Sequence, residues 1–156
     1  MAVTRIVVVG ASLAGLQAAV TLRADGFDGD LTLVGEEPHR PYDRPPLSKQ
    51  VLTGEWGPDR VALPAAESLD VTWELGVGAV GLDVAGGRVA LADGRSLRFD
   101  GVVVATGAAP RALPGVGSLA GVHTVRTIED ALAVRAAIDA GARRVVVVGA
   151  GFIGAE

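Results

Sequence analysis

Cysteine is absent from the 156-residue chain. This absence excludes disulfides, thiolate metal ligands and a redox dithiol. Histidine is scarce as well, because the sequence has only His39 and His123, and we therefore expect no metal site. Redox chemistry in this chain would have to come from a bound cofactor.

Lysine is nearly missing too, since Lys49 is the only lysine among 14 basic residues. With a formal net charge of -4, the chain lacks the basic surface that a nucleic-acid partner requires. No apolar run approaches the roughly 20 residues of a membrane span, and the first residues become strand-like too early for a signal peptide. We therefore expect a soluble, cytoplasmic protein with neither a nucleic-acid nor a membrane partner.

The chain does contain a glycine turn directly after an apolar segment. Residues 3–9 are mostly apolar, which is typical of a strand buried on both faces of a parallel sheet. The turn Gly10-x-Ser12-x-x-Gly15 then opens a helical pattern, and Leu31–Val34 forms the next strand. Serine replaces the middle glycine of the dinucleotide fingerprint, but it is small and its hydroxyl can donate to a phosphate oxygen.

Glu36 follows the second strand about 20 residues after this turn, where an acid can bind ribose hydroxyls. The alternative is that the turn only packs a helix on a strand and that Glu36 is a solvated loop acid. The spacing favours the nucleotide site.

The middle of the chain changes pattern. Alternating residues with glycine turns between them predict an antiparallel meander of four strands: 71–75, 79–84, 88–91 and 96–99. Val102–Ala105 returns to the buried-strand pattern, and residues 108–117 form a proline and glycine connector. Thr127 to Asp130 resembles a capping box that opens a helix.

A second fingerprint, Gly149-x-Gly151-x-x-Gly154, includes Ile153 and follows the apolar run Val145–Val148. It predicts an NAD(P)-binding turn. The alternative is that it cannot work as a site in this chain, since no second strand with a ribose-binding acid follows it.

Lys49 lies just after a rigid proline segment. A cation there could stabilise negative charge on an electron-rich ring as that ring is reduced. From spacing alone, an ordinary surface lysine is the favoured alternative.

Together these features resemble the FAD-dependent, NAD(P)H-using ferredoxin reductases of the putidaredoxin and rubredoxin reductase type. Such proteins have two dinucleotide-binding domains. The matching segments run in family order over essentially the whole chain: residues 9–15, 33–38, 41–49, 104–111, 126–131 and 149–156. The proline-rich segment Pro41–Lys49 is much more specific than either glycine motif.

The resemblance implies FAD and NAD(P)H as cofactors and a small iron-sulfur protein, ferredoxin or rubredoxin, as electron acceptor. It implies that the backbone around Ser12, Leu13 and Ala14 holds the FAD pyrophosphate and that Glu36 binds the adenosine ribose. Further FAD contacts are implied for Arg44, Lys49, Val80, Ala105, Thr106, Gly107 and Arg126. Lys49 thereby becomes the candidate catalytic residue beside the flavin. Without the redox cysteines of the disulfide-reductase relatives, electrons would leave the flavin directly.

The predicted fold is α/β: a Rossmann-like FAD-binding unit of three layers, with a parallel sheet and an antiparallel meander, and the truncated start of a second Rossmann-like domain. The FAD-binding segment would span residues 1–110, and the connector with the incomplete NAD(P)-binding domain would span 111–156. We expect this portion alone not to catalyse hydride transfer.

The apolar run near residue 145 is predicted to lack its native strand neighbours. We expect residues 143–156 to be disordered, packed on the first module, or paired between molecules through residues 144–149. Two function classes stay open from the sequence. One is the N-terminal part of an oxidoreductase, and the other is a non-catalytic nucleotide-binding or assembly module.

Overall fold

A four-stranded parallel sheet forms the centre of the first of two compact units. The computed structural model describes residues 2–116 and 119–156, and the first unit comprises the residues up to Tyr42 together with Ala62–Gly107. Its sheet has the order β3-β2-β1-β7. The strands are β1 (Arg5–Val9), β2 (Asp30–Gly35), β3 (Thr72–Leu75) and β7 (Gly101–Val104), and helix α1 (Leu13–Ala24) connects β1 to β2.

β1 is buried on both faces, as its apolar pattern predicts. Ile6 and Val8 pack with Ala19 of α1 on one face, whereas Val7 packs with residues of the meander on the other. Successive side chains of a strand point to opposite faces, so one strand contributes to both clusters. The Val8 side chain is fully buried, and such burial contributes roughly 1.5–3 kcal/mol.

The antiparallel meander has three strands, not the predicted four. These are β4 (Ala79–Asp83), β5 (Arg88–Leu91) and β6 (Ser96–Arg98), paired in chain order. The segment predicted as the first strand of the meander is β3, which runs parallel to β2 with Trp73 opposite Leu33. The prediction of its partner was wrong because alternation indicates a strand but not its neighbour, and Trp73 packs into the cluster that contains Leu33.

The second unit contains Asp43–Val61 and the described residues from Ala108 onward. Its helices are α2 (Gln50–Thr53), α4 (Ile128–Asp139) and α5 (Phe152–Ala155), with 3-10 turns at Pro45–Ser48 and Pro58–Val61; the short α3 (Ala65–Ser68) belongs to the first unit. The capping box of α4 is confirmed, because the Thr127 hydroxyl accepts from the Asp130 N–H and the Asp130 carboxylate accepts from the Thr127 N–H.

The apolar run Val145–Val148, which was expected to lack its strand neighbours, forms no strand. Residues 142–150 have no regular secondary structure, and the four valines are 61–84% exposed. A strand is stabilised by hydrogen bonds to a neighbour, and none of the described strands pairs with this segment. The predicted domain boundary near residue 110 stays a prediction, as does pairing through residues 144–149. The last residue of the predicted connector, Gly117, lies outside the described residues.

Within the described ranges, no helix is long and apolar enough to cross a membrane.

Candidate functional site

The carboxyl ends of the parallel strands meet at one edge of the sheet. Val9 at the end of β1 lies opposite Val34 of β2 and Val104 of β7. The chain leaves β1 towards β2 on one side, while β7 lies on the other side. In open α/β sheets, ligands bind at such a change of direction.

The turn after β1 depends on two glycines for close backbone approach. Gly10 has a φ of +116°, and a Cβ there would lie 2.1 Å from the Ala105 carbonyl oxygen. A Cβ at Gly15 would lie 1.8 Å from the Gly10 carbonyl oxygen. Both glycines therefore let α1 pack tightly on the sheet, so this part of the motif fits the packing interpretation as well as the nucleotide one.

The residues at the start of α1 favour an anion site. Ser12 is the N-cap in an extended conformation, and the first intrahelical bond runs from the Leu16 N–H to the Ser12 carbonyl at 2.8 Å. Helix geometry therefore leaves the N–H groups of Leu13, Ala14 and Gly15 outside the helical ladder. The Leu13 side chain is 60% exposed, so it lies at the surface where α1 begins.

Glu36 follows β2 at the same edge and lines an open cleft of about 520 Å³. Gly76, Gly78, Asp93 and Arg95 also line this cleft. The Gly78 backbone passes beside the Glu36 side chain, since a Cβ on it would lie 3.8 Å from Glu36 Cγ. Glu36, the acid predicted to bind a ribose, thus lines a cleft. The sequence patterns did not predict the other residues that line it.

Four further predicted residues lie along the first unit. Val80 is 68% exposed on β4. Thr106 and Gly107 are exposed directly after β7, and the Ala105 N–H extends the ladder by donating to the Val9 carbonyl at 2.7 Å.

In the second unit, three residues predicted to contact FAD line one cavity of about 300 Å³. Arg44, Lys49 and Arg126 all line it. Arg44 Nη1 donates to the Arg126 carbonyl at 2.7 Å, which ties two segments far apart in sequence. The structure therefore brings together the cationic residues that the family resemblance singled out.

Glu156 also lines this cavity, and the sequence patterns did not single it out as a candidate. Its carboxylate lies 2.7 Å from Lys49 Nζ and accepts from the Ser48 hydroxyl at 2.6 Å. The hydrogen bond from Lys49 lowers the pKa of the Glu156 carboxyl, and the Ser48 hydroxyl adds to this effect. The available signal was an acid just after Gly154 in a chain that has a single lysine.

The second glycine motif has the local geometry of the first. Gly149 has a φ of +113°, and a Cβ at Gly154 would lie 2.2 Å from the Gly149 carbonyl oxygen. Gly151 is the N-cap of α5, and Ile153 lines the same cavity as Lys49. The turn and the first helical turn are thus formed, whereas the strand before them is not.

Among the residues that the structure describes, no group of three or more histidine, aspartate or glutamate side chains is arranged to hold a metal ion.

Residues 4–156 match the sequence pattern of the pyridine nucleotide-disulphide oxidoreductases. The chain belongs to this family. Family membership agrees with the predicted Rossmann-like fold and with use of a pyridine nucleotide.

Two curated relatives from Pseudomonas putida are reductases. The ferredoxin–NAD(+) reductase component of the p-cumate 2,3-dioxygenase system is 43% identical, over 99% of this chain and 39% of its own length. Putidaredoxin reductase is 38% identical, over 97% of this chain and 37% of its own length. The chain thus spans about two fifths of these members of the pyridine nucleotide-disulphide oxidoreductase family.

Solved structures agree with this assignment. A ferredoxin reductase from Rhodopseudomonas palustris superposes with a TM-score of 0.88 at 33% identity, over 97% of this chain and 38% of that chain. Putidaredoxin reductase in its covalent complex with putidaredoxin superposes with a TM-score of 0.78 at 36% identity, over 86% of this chain and 34% of that chain.

Proposed function

We propose that the chain is the N-terminal portion of a flavoprotein oxidoreductase that passes electrons from NAD(P)H through FAD to a small iron-sulfur protein. The observation that carries this proposal is the sheet edge at which the α1 N-terminus and the Glu36 cleft occur together. The names of the two relatives, a ferredoxin–NAD(+) reductase component and a putidaredoxin reductase, support the acceptor class. The cytoplasm, where NAD(P)H is held, is the proposed location.

The residues of the first unit fit the adenosine and pyrophosphate parts of FAD. The N–H groups of Leu13, Ala14 and Gly15 would donate to the pyrophosphate, which the positive end of the helix dipole also favours. The Glu36 carboxylate would accept from ribose hydroxyls. Val80 and the segment Ala105–Gly107 would contribute backbone contacts. Bound FAD supplies a carrier that accepts a hydride and releases electrons singly.

Arg44, Lys49 and Arg126 are the proposed flavin neighbours in the second unit. A fixed cation favours the negative charge that a flavin ring gains on reduction. Glu156 holds the Lys49 ammonium by a direct ion pair, which restricts the rotamers of a flexible side chain. The turn Gly149–Gly154, including Ile153, is the proposed contact for the pyrophosphate of NAD(P)H.

Uptake of FAD by the 156-residue chain tests the cofactor assignment. Purified chain is mixed with FAD, freed from excess by gel filtration, and examined by its visible spectrum. We expect a flavin band near one FAD per chain and a several-fold weaker affinity in Glu36→Ala, because one charge-assisted hydrogen-bond acceptor is removed. Glu67→Ala, which removes another exposed carboxylate, is the matched control. A chain that stays colourless at saturating FAD contradicts the proposal.

Electron transfer is tested by joining the chain to the remaining three fifths of the p-cumate reductase component. The fusion should reduce a ferredoxin with NADH or NADPH as donor, followed through cytochrome c absorbance. A fusion that binds FAD but reduces no ferredoxin with either donor would exclude the proposed acceptor class. A chain that takes up no FAD but self-associates would instead favour an assembly module, to which the exposed run Val145–Val148 is suited.

A further inference from the structure

Arg95 is held between two carboxylates in the first unit. Its Nη1 and Nη2 donate to the two oxygens of Glu74 at 3.0 and 2.7 Å. Its Nε donates to Asp93 Oδ2 at 2.7 Å. The guanidinium therefore uses both its bidentate edge and its Nε donor, which fixes its plane and not only its position.

These contacts join two elements that are distant in sequence. Glu74 lies on β3 of the parallel sheet, whereas Arg95 and Asp93 belong to the turn between β5 and β6. That turn is closed by the Leu91 N–H, which donates to the Arg95 carbonyl at 2.9 Å, and by the Arg95 N–H, which donates to Asp93 Oδ1 at 3.0 Å. Arg95 thus ties a well-formed turn to the sheet.

The tied turn forms one wall of the Glu36 cleft. Asp93 and Arg95 line this cleft together with Gly78. The Ala92 N–H donates to the Gly78 carbonyl at 2.9 Å, and the Val77 N–H donates to the Gly35 carbonyl at 3.1 Å. The backbone from the end of β2 to the turn is therefore connected, and the width of the cleft at Glu36 depends on where the turn is held.

The contacts of Arg95 have the geometry in which an exposed ion pair can contribute to stability, because one is bidentate and both belong to one network. Isolated surface pairs contribute little, but bidentate arginine contacts within a network contribute more. Arg95 lowers the pKa of the Glu74 and Asp93 carboxyls by hydrogen bonding to each, and these carboxylates raise the pKa of Arg95. With Glu36 also present, the cleft carries more negative than positive charge. It therefore favours hydroxyl and amino donors over phosphate.

We propose that Arg95 is a positioning residue that holds the β5–β6 turn so that the cleft at Glu36 accepts the nucleoside end of an adenine dinucleotide. This inference rests on the proposed FAD-binding function. Arg95 acts through the turn and through Glu74, and its loss would also leave the Asp93 carboxylate in the cleft without its guanidinium partner.

The test compares the dissociation constants of FAD and of ADP by calorimetry, well below the unfolding temperature of every variant. Arg95→Gln should weaken both ligands about two- to fivefold. Glu74→Gln should weaken binding by a similar factor. The double variant Arg95→Gln/Glu74→Gln should lose no more affinity than either single variant, because both substitutions remove the same contact. Arg95→Lys should recover only part of the affinity lost in Arg95→Gln, since an ammonium cannot form the bidentate contact with the Glu74 carboxylate. Arg98→Gln, on the exposed side of β6, is the matched control.

A merely structural role would lower the unfolding midpoint of Arg95→Gln without changing affinity in the folded state. Equal FAD affinity in the wild-type chain and Arg95→Gln, or an equal loss in Arg98→Gln, would overturn the inference while leaving the proposed function intact. Binding of ADP but not FAD by the wild-type chain would reject the flavin function. The role of Arg95 would then be decided by the dissociation constants of ADP in the wild-type chain and in Arg95→Gln. If the wild-type chain binds neither FAD nor ADP, both the inference about Arg95 and the proposed FAD-binding function are rejected.

Discussion

At the scale of single residues, the ion pair with Glu156 distinguishes Lys49 from an ordinary surface lysine. It is the only lysine in the sequence, and its ammonium meets the Glu156 carboxylate beside Arg44 and Arg126. A lone exposed lysine could lie anywhere on a surface. A lysine oriented by a carboxylate at the edge of a cavity is instead a cation with a fixed position.

Replacing this cation should make the bound flavin harder to reduce. In Lys49→Met we expect the midpoint potential of FAD bound to the chain to fall by roughly 20–40 mV, about 1–2 kcal/mol for a two-electron couple, because the charge of the reduced ring loses its counter-ion. Reduction titrations against a reference dye measure this shift. Arg111→Met, an exposed cation outside the cavity lining, controls for net charge. An unchanged potential in Lys49→Met would remove Lys49 from the proposed flavin neighbours.

Asp100 links the start of β1 to the start of β7 through hydrogen bonds that we expect to be sensitive to acid. It accepts from Thr4 and Arg5 through backbone and side-chain donors at 2.9–3.1 Å. These bonds, with that of the Arg5 guanidinium the largest, lower the pKa of Asp100 to about 2. A carboxyl with a depressed pKa in the folded state stabilises that state above its ordinary pKa of 3.8, and this stabilisation is lost as the pH falls towards 2.

Asp100→Asn should therefore be less stable than the wild-type chain at pH 7, and the difference should shrink between pH 4 and about 2. Urea unfolding followed by circular dichroism across this range measures it. Asp28→Asn, which removes a carboxylate from an exposed loop, corrects for the change in net charge. A constant difference between Asp100→Asn and the wild type at all pH values would show that the carboxylate charge has no part in the link.

The candidate site residues could be proposed from the sequence to different degrees. Gly10, Gly15 and Glu36 were proposed from their spacing, because a glycine turn and the acid after the next strand lie within one local unit. Glu156 and Arg95 were not found. Each acquires its role from a partner distant in sequence, Lys49 in one case and Glu74 in the other, and spacing along the chain carries no information about such pairs.

At the scale of elements, the turn between β1 and α1 depends on the missing side chain of Gly15. Gly15→Ala should destabilise the fold by about 3 kcal/mol, because the new Cβ would overlap the Gly10 carbonyl oxygen within the tightly packed turn. Gly26→Ala is the control. Gly26 has a φ of +90° and no atom near its absent Cβ, so only backbone strain of about 1 kcal/mol is expected. Urea midpoints that rank the two variants equally would argue against close packing at the turn.

β3 shows where the assignment of an element by pattern reaches its limit. Residues 71–75 were correctly predicted as a strand, yet the prediction joined them to the meander. Their glycine-rich surroundings and their alternation fit either sheet. Packing decided the outcome, since Trp73 is large and has an apolar cluster available beside Leu33 of β2. The capping box at Thr127 was predicted and confirmed because its hydrogen bonds join residues three apart.

At the scale of the whole molecule, the exposed run Val145–Val148 has a consequence for association. Four consecutive valines that are 61–84% exposed offer unpaired backbone groups and apolar side chains to another chain. Val146→Lys should therefore reduce concentration-dependent association, measured by light scattering after gel filtration. Val84→Lys places the same charge at a valine that is 72% exposed in the first unit and should change association less. A wild-type chain that stays monomeric at high concentration would contradict the expectation.

The sequence by itself determined the local units: the buried strand β1, the glycine turns with their positive φ angles, the acid after β2 and the capped helix α4. These follow from interactions between residues a few positions apart, and such interactions survive in almost any tertiary context. Only the tertiary structure decided that β3 joins the parallel sheet, that Lys49 pairs with Glu156 and that Arg95 pairs with Glu74. Each of these outcomes depends on a partner from elsewhere in the chain, and a strand or an ion pair is stabilised only when that partner is present.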